Sequence, residues 1–317
     1  MDRNLALEFV RVTEAAAIAA ARWIGRGDKH RADGAAVDEM RSRFNQIDFR
    51  GTVVIGEGSK DEAPELYTGE KVGKGIGPVM DLAVDPLECT NSVAFGRYNA
   101  LSVIVAGAKG SLFSAPDTYM QKIAVGPKGA SVVRLDAAVR TNIQRAARAL
   151  GKRTRDITVV VLDRDRHRDL IVQIRQAGAR VRLITDGDVA GAVACCLPES
   201  GVDLMMGIGG STEAVLAAAP IKIFGGQIFC RFAPPDQKHA ALLKKHGFHS
   251  KKIYSAADLA KGKFLTFTAT GVIDGPLLAG VRFTEGGIIT HSLVIRGQSR
   301  TLRYVTTHHH EAKNLNH

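Results

Sequence analysis

Two acidic residues follow an apolar segment of the chain at the point where a strand would end. Asp85 and Glu88 lie on either side of Pro86, which we expect to stop the strand so that both carboxylates lie in one turn. Thr90 is close enough in sequence to hold a water molecule beside them. Carboxylate oxygens are the ligands that hard divalent cations prefer in proteins. The segment 85–90 therefore predicts a metal site with a positioned water molecule.

Two further acids follow predicted strands. Glu57 comes after strand 52–55, and the glycines on either side of it let the backbone approach a ligand closely. Glu213 comes after strand 202–206 and a glycine-rich loop, at the start of a helix whose amide groups could receive an anion. Ligands collect at the carboxyl ends of the strands in open parallel sheets. We therefore expect both acids to lie beside the first pair.

Each acid also has a purely structural explanation. Acids after strands are common turn residues. Asp33 is placed to cap a helix predicted over residues 35–44, and Glu213 in a first helical turn interacts favourably with the helix dipole. The acids taken together, with glycines against several of their loops, favour the metal site over these separate explanations.

The elements that must position these acids differ between the two halves of the chain. The hydrophobic pattern of the first half predicts two helices followed by strands, which is an α+β arrangement. Its helices are expected over residues 5–23 and 35–44, and its strands over residues 52–55, 81–84, 101–106 and 131–135.

After a helical stretch over residues 136–150, strands and helices alternate, which predicts a parallel sheet covered by helices. The strands are expected over residues 157–162, 181–184 and 202–206, and the helices over residues 167–177, 189–197 and 212–219. The change of pattern near residues 153–156 divides the chain in two. We expect an α+β metal-binding domain over residues 1–155 and an α/β substrate-binding domain over residues 156–317.

The composition is that of an ordinary globular protein. The chain has 317 residues, of which 45% are hydrophobic, and this is enough for one large or two medium domains. Residues 5–24 are rich in alanine but carry charged side chains at helical spacing, so they predict a soluble helix and not a membrane span. The sequence shows no export signal, and a cytoplasmic location is expected.

The cysteines are expected to be reduced. Cys89, Cys195, Cys196 and Cys230 show neither the paired spacing of zinc ligands nor the framework of a disulfide-rich scaffold. Cys195 and Cys196 lie in an apolar helical stretch, which favours burial as small hydrophobic side chains over redox chemistry.

The formal net charge of +11 indicates an anionic partner, which could be a nucleic acid, a membrane surface or a phosphorylated metabolite. The basic residues are spread along the chain, aromatic residues make up only 6% of it, and no nucleic-acid-binding motif is present. These features favour a small phosphorylated substrate.

The segment Asp-Pro-Leu-Glu-Cys-Thr at residues 85–90, with Glu57 upstream, resembles a signature of the lithium-sensitive, metal-dependent phosphomonoesterase superfamily. That signature reads Asp-Pro-Ile/Leu-Asp/Glu-Gly-Thr. More narrowly, the chain resembles the class II fructose-1,6-bisphosphatases over nearly its whole length, and the resemblance implies a layered α-β-α-β-α sugar-phosphatase fold. The matching segments are residues 23–29, 32–37, 54–58, 115–120, 162–167, 186–188, 207–210 and 293–296.

The resemblance also implies roles for individual residues. Metal binding, with Mn²⁺ or Mg²⁺, is implied for Asp33, Glu57, Asp85, Glu88 and Glu213, and the carbonyl of Leu87 is a possible further ligand. Catalytic roles are implied for Thr90, which would orient the attacking water, for Asp33, which would help to deprotonate it, and for Glu57. Contacts with the sugar bisphosphate are implied for Lys29, Glu88, Cys89, Thr90, Tyr119, Arg164, Asp165, Arg166, Asp186, Gly187, Asp188 and Gly210. Taken from the residues alone, Arg164 and Arg166 could equally be exposed side chains after a strand.

The chain departs from the family pattern in three places. Cys89 stands where the signature usually has glycine, and a positive φ there would make the cysteine cost roughly 1 kcal/mol or more in strain. Residues 225–250 form a shorter stretch than is usual. Residues 210–213, Gly-Ser-Thr-Glu, replace a more usual Ala-Pro or Ala-Ala before the glutamate.

The resulting hypothesis is the hydrolysis of fructose 1,6-bisphosphate to fructose 6-phosphate and phosphate, a step of gluconeogenesis, by a homodimer or homotetramer. Sedoheptulose 1,7-bisphosphate is an alternative or additional substrate, and an inositol or nucleotide phosphoester is a further one. Two other classes remain open: a sugar-phosphate-binding protein in which Cys89 has impaired catalysis, and a nucleic-acid-binding protein suggested by the charge.

Overall fold

The computed structural model describes residues 5–56 and 66–310 of the chain. Its helices are α1 (Leu5–Ala21), α2 (Lys29–Phe44), α3 (Thr90–Ala94), α4 (Val139–Leu150), α5 (Arg168–Gln176), α6 (Asp188–Ala194), α7 (Ser211–Ile223), α8 (Gln237–Lys245) and α9 (Ala256–Leu259). Its strands are β1 (Arg50–Ile55), β2 (Lys71–Val72), β3 (Val79–Glu88), β4 (Ala100–Ala108), β5 (Tyr119–Val125), β6 (Thr158–Leu162), β7 (Arg180–Ile184), β8 (Leu204–Gly210), β9 (Gln227–Phe232), β10 (Ile253–Ser255), β11 (Thr266–Ile273), β12 (Arg282–Thr284), β13 (Gly287–Arg296) and β14 (Thr301–His309).

The first sheet has eight strands. Seven of them follow the order β12-β13-β11-β4-β3-β1-β2, and the eighth, β14, also pairs with β13. Strands β1 and β3 run parallel, and the remaining neighbours in this sheet run antiparallel. Helices α1 and α2 cover one face of it. Phe9, Phe44 and Phe49 meet there with ring centroids 5.6 to 6.1 Å apart, and all three are fully buried.

The second sheet has six strands in the order β10-β9-β5-β8-β6-β7. Strand β6 runs parallel to both β7 and β8, whereas β5 runs antiparallel to β8 and β9. The predicted alternation of strands and helices is thus present from β6 to α7. The sheet is mixed, however, and not wholly parallel, because the pairs β5–β8, β5–β9 and β9–β10 are antiparallel.

Helix α7 lies between the two sheets. Its alanines, such as Ala214 and Ala218, belong to one buried cluster with Val103 of the first sheet and with Met120 of the second. Small side chains let a helix fit between two sheets that would otherwise be forced apart. Helices α4 and α5 cover the outer face of the second sheet, around Ile143 and Ile174. The layers follow as α-β-α-β-α, which confirms the predicted α/β fold class.

Several boundaries differ from the sequence prediction. Helix α2 begins at Lys29, and its N-cap is Asp28, whose side chain accepts a hydrogen bond of 3.0 Å from the Arg31 N–H. The prediction that Asp33 caps this helix is wrong, because Asp33 lies inside it. Residues 131–135 form turns instead of the predicted strand. Strand β3 runs through Pro86 to Glu88, so the proline does not stop it.

The sheets do not follow the predicted division of the chain at residues 155 and 156. Strand β5 precedes that point but belongs to the second sheet, and strands β11 to β14 follow it but belong to the first. The two-domain organisation stays a prediction. In the part of the chain that the structure describes, no helix has both the length and the apolar character needed to cross a membrane.

The cysteines agree with the sequence prediction. All four are free, and Cys195, Cys196 and Cys230 are buried. Burial raises the pKa of Cys196 and of Cys230 to about 12, so both remain thiols at neutral pH.

Candidate active site

A cleft of about 300 Å³ lies where the two sheets and the central helices meet. The end of β3 and the start of α3 form one wall, and the ends of β6 and β8 with the starts of α6 and α7 form the other. The residues that line it are Asp85, Leu87, Glu88, Cys89, Thr90, Asn91, Tyr119, Leu162, Arg164, Arg166, Asp186, Gly187, Asp188, Gly209, Gly210 and Glu213. Most of the predicted site residues are therefore brought together in a single cavity.

A bulge in strand β3 positions the first two acids. The pairing of β3 with β4 shifts register between Asp85 and Glu88, and Pro86, which has no N–H to donate, lies within this interruption. One carboxylate oxygen of Glu88 accepts a hydrogen bond of 3.0 Å from the Val189 N–H in the first turn of α6. The other, Oε2, is buried without a hydrogen-bond partner among the described residues, and so is Oδ1 of Asp85.

Burial and neighbouring acids disfavour negative charge at both positions. Burial raises the pKa of Asp85 well above its usual range, and the carboxylates of Glu88, Glu213 and Asp33 raise it further. Burial likewise raises the pKa of Glu88 to about 8, with a further contribution from Asp188. A bound cation would reverse both effects, because it favours the charged carboxylates.

Glu213 lies in the first turn of α7, directly after strand β8. The Thr212 hydroxyl donates a hydrogen bond of 2.7 Å to its Oε2 atom. Gly210, the N-cap of the helix, lies against the same oxygen, and a Cβ atom at this position would overlap it. A glycine is therefore required at residue 210 for the observed orientation of the glutamate.

The donor set suits a hard divalent cation, because it consists of carboxylate oxygens and includes buried ones without partners. Within residues 5–56 and 66–310, no three His, Cys, Asp or Glu side chains are close enough together as they stand to hold one ion. Asp33 acts electrostatically on Asp85 from helix α2 but does not line the cleft. The predicted ligand Glu57 lies outside the described residues.

Raised pKa values in the folded protein predict a pH-dependent stability. The folded state binds a proton at Glu88 more tightly than the unfolded chain, so this stabilisation is complete below pH 4.5 and is lost as the pH rises through about 8. The melting temperature of the metal-free protein should therefore fall over this interval, and the increase on adding Mn²⁺ or Mg²⁺ should be larger at pH 8 than at pH 5.5. Thermal unfolding in chelator and in metal measures both. A metal-induced increase that is equal at the two pH values would contradict the prediction, and Glu88→Gln should reduce the pH dependence.

Cys89 adopts a left-handed backbone conformation, with φ 74° and ψ 49°, immediately before helix α3. This conformation is costly for any residue with a Cβ atom. Burial raises the pKa of the thiol well above its ordinary value, and the carboxylate of Glu88 acts in the same direction. The side chain is therefore a neutral thiol and not a nucleophile.

Replacement of Cys89 by glycine is expected to stabilise the protein. Relief of the left-handed strain should raise the free energy of unfolding by roughly 0.5 to 1 kcal/mol after the added flexibility of glycine is subtracted. Chemical denaturation measures the change. Cys89→Ala is the matched control, because it removes the thiol but keeps the Cβ atom, and it should not stabilise. Equal stabilisation by both variants would show that the thiol, and not the backbone, is the cause.

The opposite wall of the cleft carries two arginines. Arg164 forms an ion pair with Asp186 and donates a hydrogen bond of 3.0 Å to the Asp163 carbonyl. Arg166 donates from Nε and Nη2 to the Ile208 carbonyl, at 3.1 and 2.8 Å, and its guanidinium lies 4.9 Å from the centre of the Tyr119 ring. Both arginines are fixed by neighbouring groups, and both line the cleft.

A tight turn joins this wall to helix α6. Gly187 has a φ of 88°, and a Cβ atom there would overlap the Asn99 amide, which donates a hydrogen bond of 3.3 Å to the Asp186 carbonyl. Asn99 has a positive φ of its own, 70°. The turn therefore depends on Asn99, which immediately precedes β4 of the first sheet, and sequence reasoning did not identify this residue.

Lys122 is a second residue that sequence reasoning missed. It lies in β5, is almost fully buried, and its Nζ atom is 2.7 Å from Oδ2 of Asp188. Burial alone would lower the pKa of Lys122, but the carboxylates of Asp188 and Glu213 outweigh this effect and raise it. The lysine therefore supplies a buried positive charge close to Asp188 and Glu213. The signal for it would have been a lysine directly before the apolar residues 123–125, in a segment that the sequence analysis did not predict as a strand.

Two predicted substrate-binding residues lie outside the cleft. Lys29 is exposed at the first position of α2. Asp165 is exposed and forms an ion pair of 2.7 Å with Arg168 on the next turn of the chain. The structure brings neither of them to the cavity.

The layered fold, with buried carboxylate oxygens that lack partners on one wall of a cleft and fixed arginines on the other, defines a metal-dependent phosphatase. The chain belongs to the bacterial, glpX-encoded fructose-1,6-bisphosphatase family, whose model matches residues 3–309. It is 44% identical to the class 2 fructose-1,6-bisphosphatase of Haemophilus influenzae, over 98% of this chain and 97% of that protein.

Two relatives from Synechococcus are about equally similar. The chain is 45% identical to the D-fructose 1,6-bisphosphatase class 2/sedoheptulose 1,7-bisphosphatase of Synechococcus sp. strain JA-3-3Ab, over 98% of this chain and 96% of that protein. It is 44% identical to the protein of the same name from Synechococcus sp. strain JA-2-3B'a(2-13), with the same coverage.

Proposed function

We propose that this protein hydrolyses the 1-phosphate of fructose 1,6-bisphosphate, using Mn²⁺ or Mg²⁺, to give fructose 6-phosphate and phosphate. This is a step of gluconeogenesis. The observation that carries the proposal is the cleft itself, in which the buried Glu88 and the half-buried Asp85 face the same cavity as Arg164 and Arg166. Membership of the fructose-1,6-bisphosphatase family supports the choice of substrate.

Acidic residues in and near the cleft would hold the metal. The residues proposed for it are Asp33, Glu57, Asp85, Glu88 and Glu213, with the Leu87 carbonyl as a further oxygen donor. When bound, a divalent cation neutralises phosphoryl oxygens, lowers the pKa of a water molecule and stabilises the charge on the departing oxygen.

The protein residues would prepare the water molecule and the proton transfer. Thr90 lines the cleft at the first position of α3, two residues after Glu88, and its hydroxyl would orient the water that attacks phosphorus. Thr90 would align that water, and Asp33 would accept its proton. Lys122 would keep Asp188 charged and in place, because the two side chains form a buried ion pair.

The basic wall would bind the phosphate groups of the substrate. Arg166 uses the N–H of Nε and one N–H of Nη2 for the Ile208 carbonyl, so both N–H groups of Nη1 and the second one of Nη2 are left for phosphate oxygens. Arg164 is held by Asp186 and would add a second positive charge. Tyr119 and the turn 186–188 would contact the sugar. A phosphate would thus be held by charge-assisted hydrogen bonds from fixed guanidinium groups.

Sedoheptulose 1,7-bisphosphate is proposed as a second substrate, because the names of two relatives include both bisphosphatase activities. The test is a comparison of kcat/KM for the two sugar bisphosphates in Mn²⁺ and in Mg²⁺, with an inositol monophosphate and a nucleoside monophosphate as controls. The proposal predicts the highest kcat/KM for fructose 1,6-bisphosphate and at least a hundredfold less for the controls. Binding of the sugar bisphosphates without turnover would support a catalytically impaired binding protein instead.

We propose a homodimer or homotetramer in the cytoplasm on the ground of the family resemblance alone. Light scattering of the purified protein distinguishes these assemblies from a monomer. A monomer at micromolar concentration would contradict the proposed oligomeric state and leave the proposed reaction unaffected.

A further inference from the structure

Strands β6 and β8 are neighbours in the second sheet, but their pairing is short. It covers Val159 with Leu204 and Val160 with Met205. Beyond these pairs both strands continue toward the cleft, where Leu162 and Gly209 line its wall. No hydrogen bonds of the sheet therefore join β6 directly to β8 at these strand ends.

The ring of His167 joins the two strand ends. It is 1% exposed, and its Nδ1 atom lies 2.7 Å from the Leu162 carbonyl at the end of β6. Its Nε2 atom lies 2.7 Å from the Ile208 amide of β8. An amide N–H can only donate, so Nε2 accepts and Nδ1 carries the proton. Both ring nitrogens of the neutral imidazole are thus used.

The local backbone is shaped to receive this ring. Gly207 has a φ of 150°, and a Cβ atom there would lie only 3.1 Å from the ring carbon Cε1 of His167. Burial lowers the pKa of His167, and the hydrogen bond with the Leu162 carbonyl opposes this only in part, which agrees with a neutral ring. The ring therefore replaces the hydrogen bonds of the sheet where the strands separate.

Ile208 is hydrogen-bonded to both His167 and Arg166. The N–H of Ile208 donates to His167, and its carbonyl accepts two hydrogen bonds from the Arg166 guanidinium. Arg166 in turn lies over the Tyr119 ring at the edge of the cleft. A shift of Ile208 would therefore move the guanidinium of Arg166.

We propose that His167 is a positioning residue for substrate binding, which sets the guanidinium of Arg166 through Ile208. The inference rests on the proposed function, because it assumes that Arg166 binds a phosphate group of the sugar bisphosphate. A buried histidine that only stabilises the fold is the competing explanation. The two differ in what they predict for KM.

The first variant is His167→Phe, which keeps a ring of similar size and removes both hydrogen bonds. The expected result is an increase of about tenfold in KM for fructose 1,6-bisphosphate with kcat changed by less than about threefold. His167→Gln, which retains a donor and an acceptor, should recover part of this loss. The dissociation constant of fructose 1,6-bisphosphate, measured by titration calorimetry, should follow KM.

A double-mutant cycle separates action through Arg166 from independent effects. His167→Phe combined with Arg166→Ala should bind no more weakly than Arg166→Ala alone. Ile174→Ala is the stability control, because Ile174 is fully buried in α5 on the outer face of the same sheet. It should lower the melting temperature at least as much as His167→Phe and leave KM unchanged.

Two outcomes would overturn the inference: an unchanged dissociation constant in a folded His167→Phe variant, or losses from His167→Phe and Arg166→Ala that simply add. Failure of the proposed function looks different. In that case the wild type itself would release no phosphate from fructose 1,6-bisphosphate, while the dissociation constants would still decide the role of His167.

Discussion

Asp85→Asn is expected to lower kcat/KM for fructose 1,6-bisphosphate by at least about 10³-fold while leaving the metal-free protein as stable as the wild type or more stable. Asparagine has nearly the same volume but carries no charge to neutralise a cation, so catalysis should fail. It also removes a buried carboxylate whose charge is disfavoured by burial and by Glu88 and Glu213. Phosphate release and thermal unfolding in chelator measure the two effects.

The matched control for this variant lies on the same strand. Asp81 is also buried in β3, but it does not line the cleft, and its carboxylate accepts a hydrogen bond of 2.6 Å from the Gly110 N–H. Asp81→Asn should lower the melting temperature and leave kcat/KM within about threefold. A catalytic loss of similar size in both variants would contradict the special role of Asp85.

Gly210→Ala is expected to reduce kcat/KM by roughly 10²-fold with little loss of stability. The added methyl group would overlap Oε2 of Glu213, so the carboxylate must move. The displaced atom is the end of a flexible side chain, which makes the change tolerable for folding. It is also a proposed metal ligand, and a displacement of about 1 Å in a reacting group can cost 10²-fold in rate.

Gly286→Ala serves as the control, because a Cβ atom at residue 286 would meet nothing within 4 Å. It should have wild-type kcat/KM. The effect of Gly210→Ala should also disappear in the background of Glu213→Gln, where the ligand is already lost. Wild-type activity in Gly210→Ala would show that the observed position of Glu213 is not required.

The alternation of strands and helices from β6 to α7 was predictable, because β6 and β8 contain short buried apolar runs and periodic helical segments separate the strands. The strands from β11 onward were not predicted. In β11, Thr268 and Thr270 are fully buried, and the Thr270 hydroxyl lies 2.7 Å from that of Thr13 and 2.8 Å from that of Ser292. These partners come from distant parts of the chain, so no local pattern reveals that the threonines can be buried.

The shared location of Asp85, Glu88 and Glu213 at one cleft was predictable from the sequence, but the local geometry of the acids was not. Pro86 was expected to end a strand, whereas β3 continues through it because a shift of register beside β4 removes the need for its N–H. Asp33 was expected as a cap, but Asp28 takes that role. Lys122 and Asn99 reach the site through tertiary contacts. A single sequence does not reveal such contacts between distant residues.

The most direct test of the central claim is the rate of phosphate release from fructose 1,6-bisphosphate by the wild-type protein, first with a chelator and then with Mn²⁺ or Mg²⁺ added back. A cleft whose acids hold a catalytic metal predicts a rate at least about 10²-fold lower in the chelator and full recovery with one of the two metals. An undiminished rate in the chelator, with metal removal verified by elemental analysis, would contradict the metal-dependent mechanism.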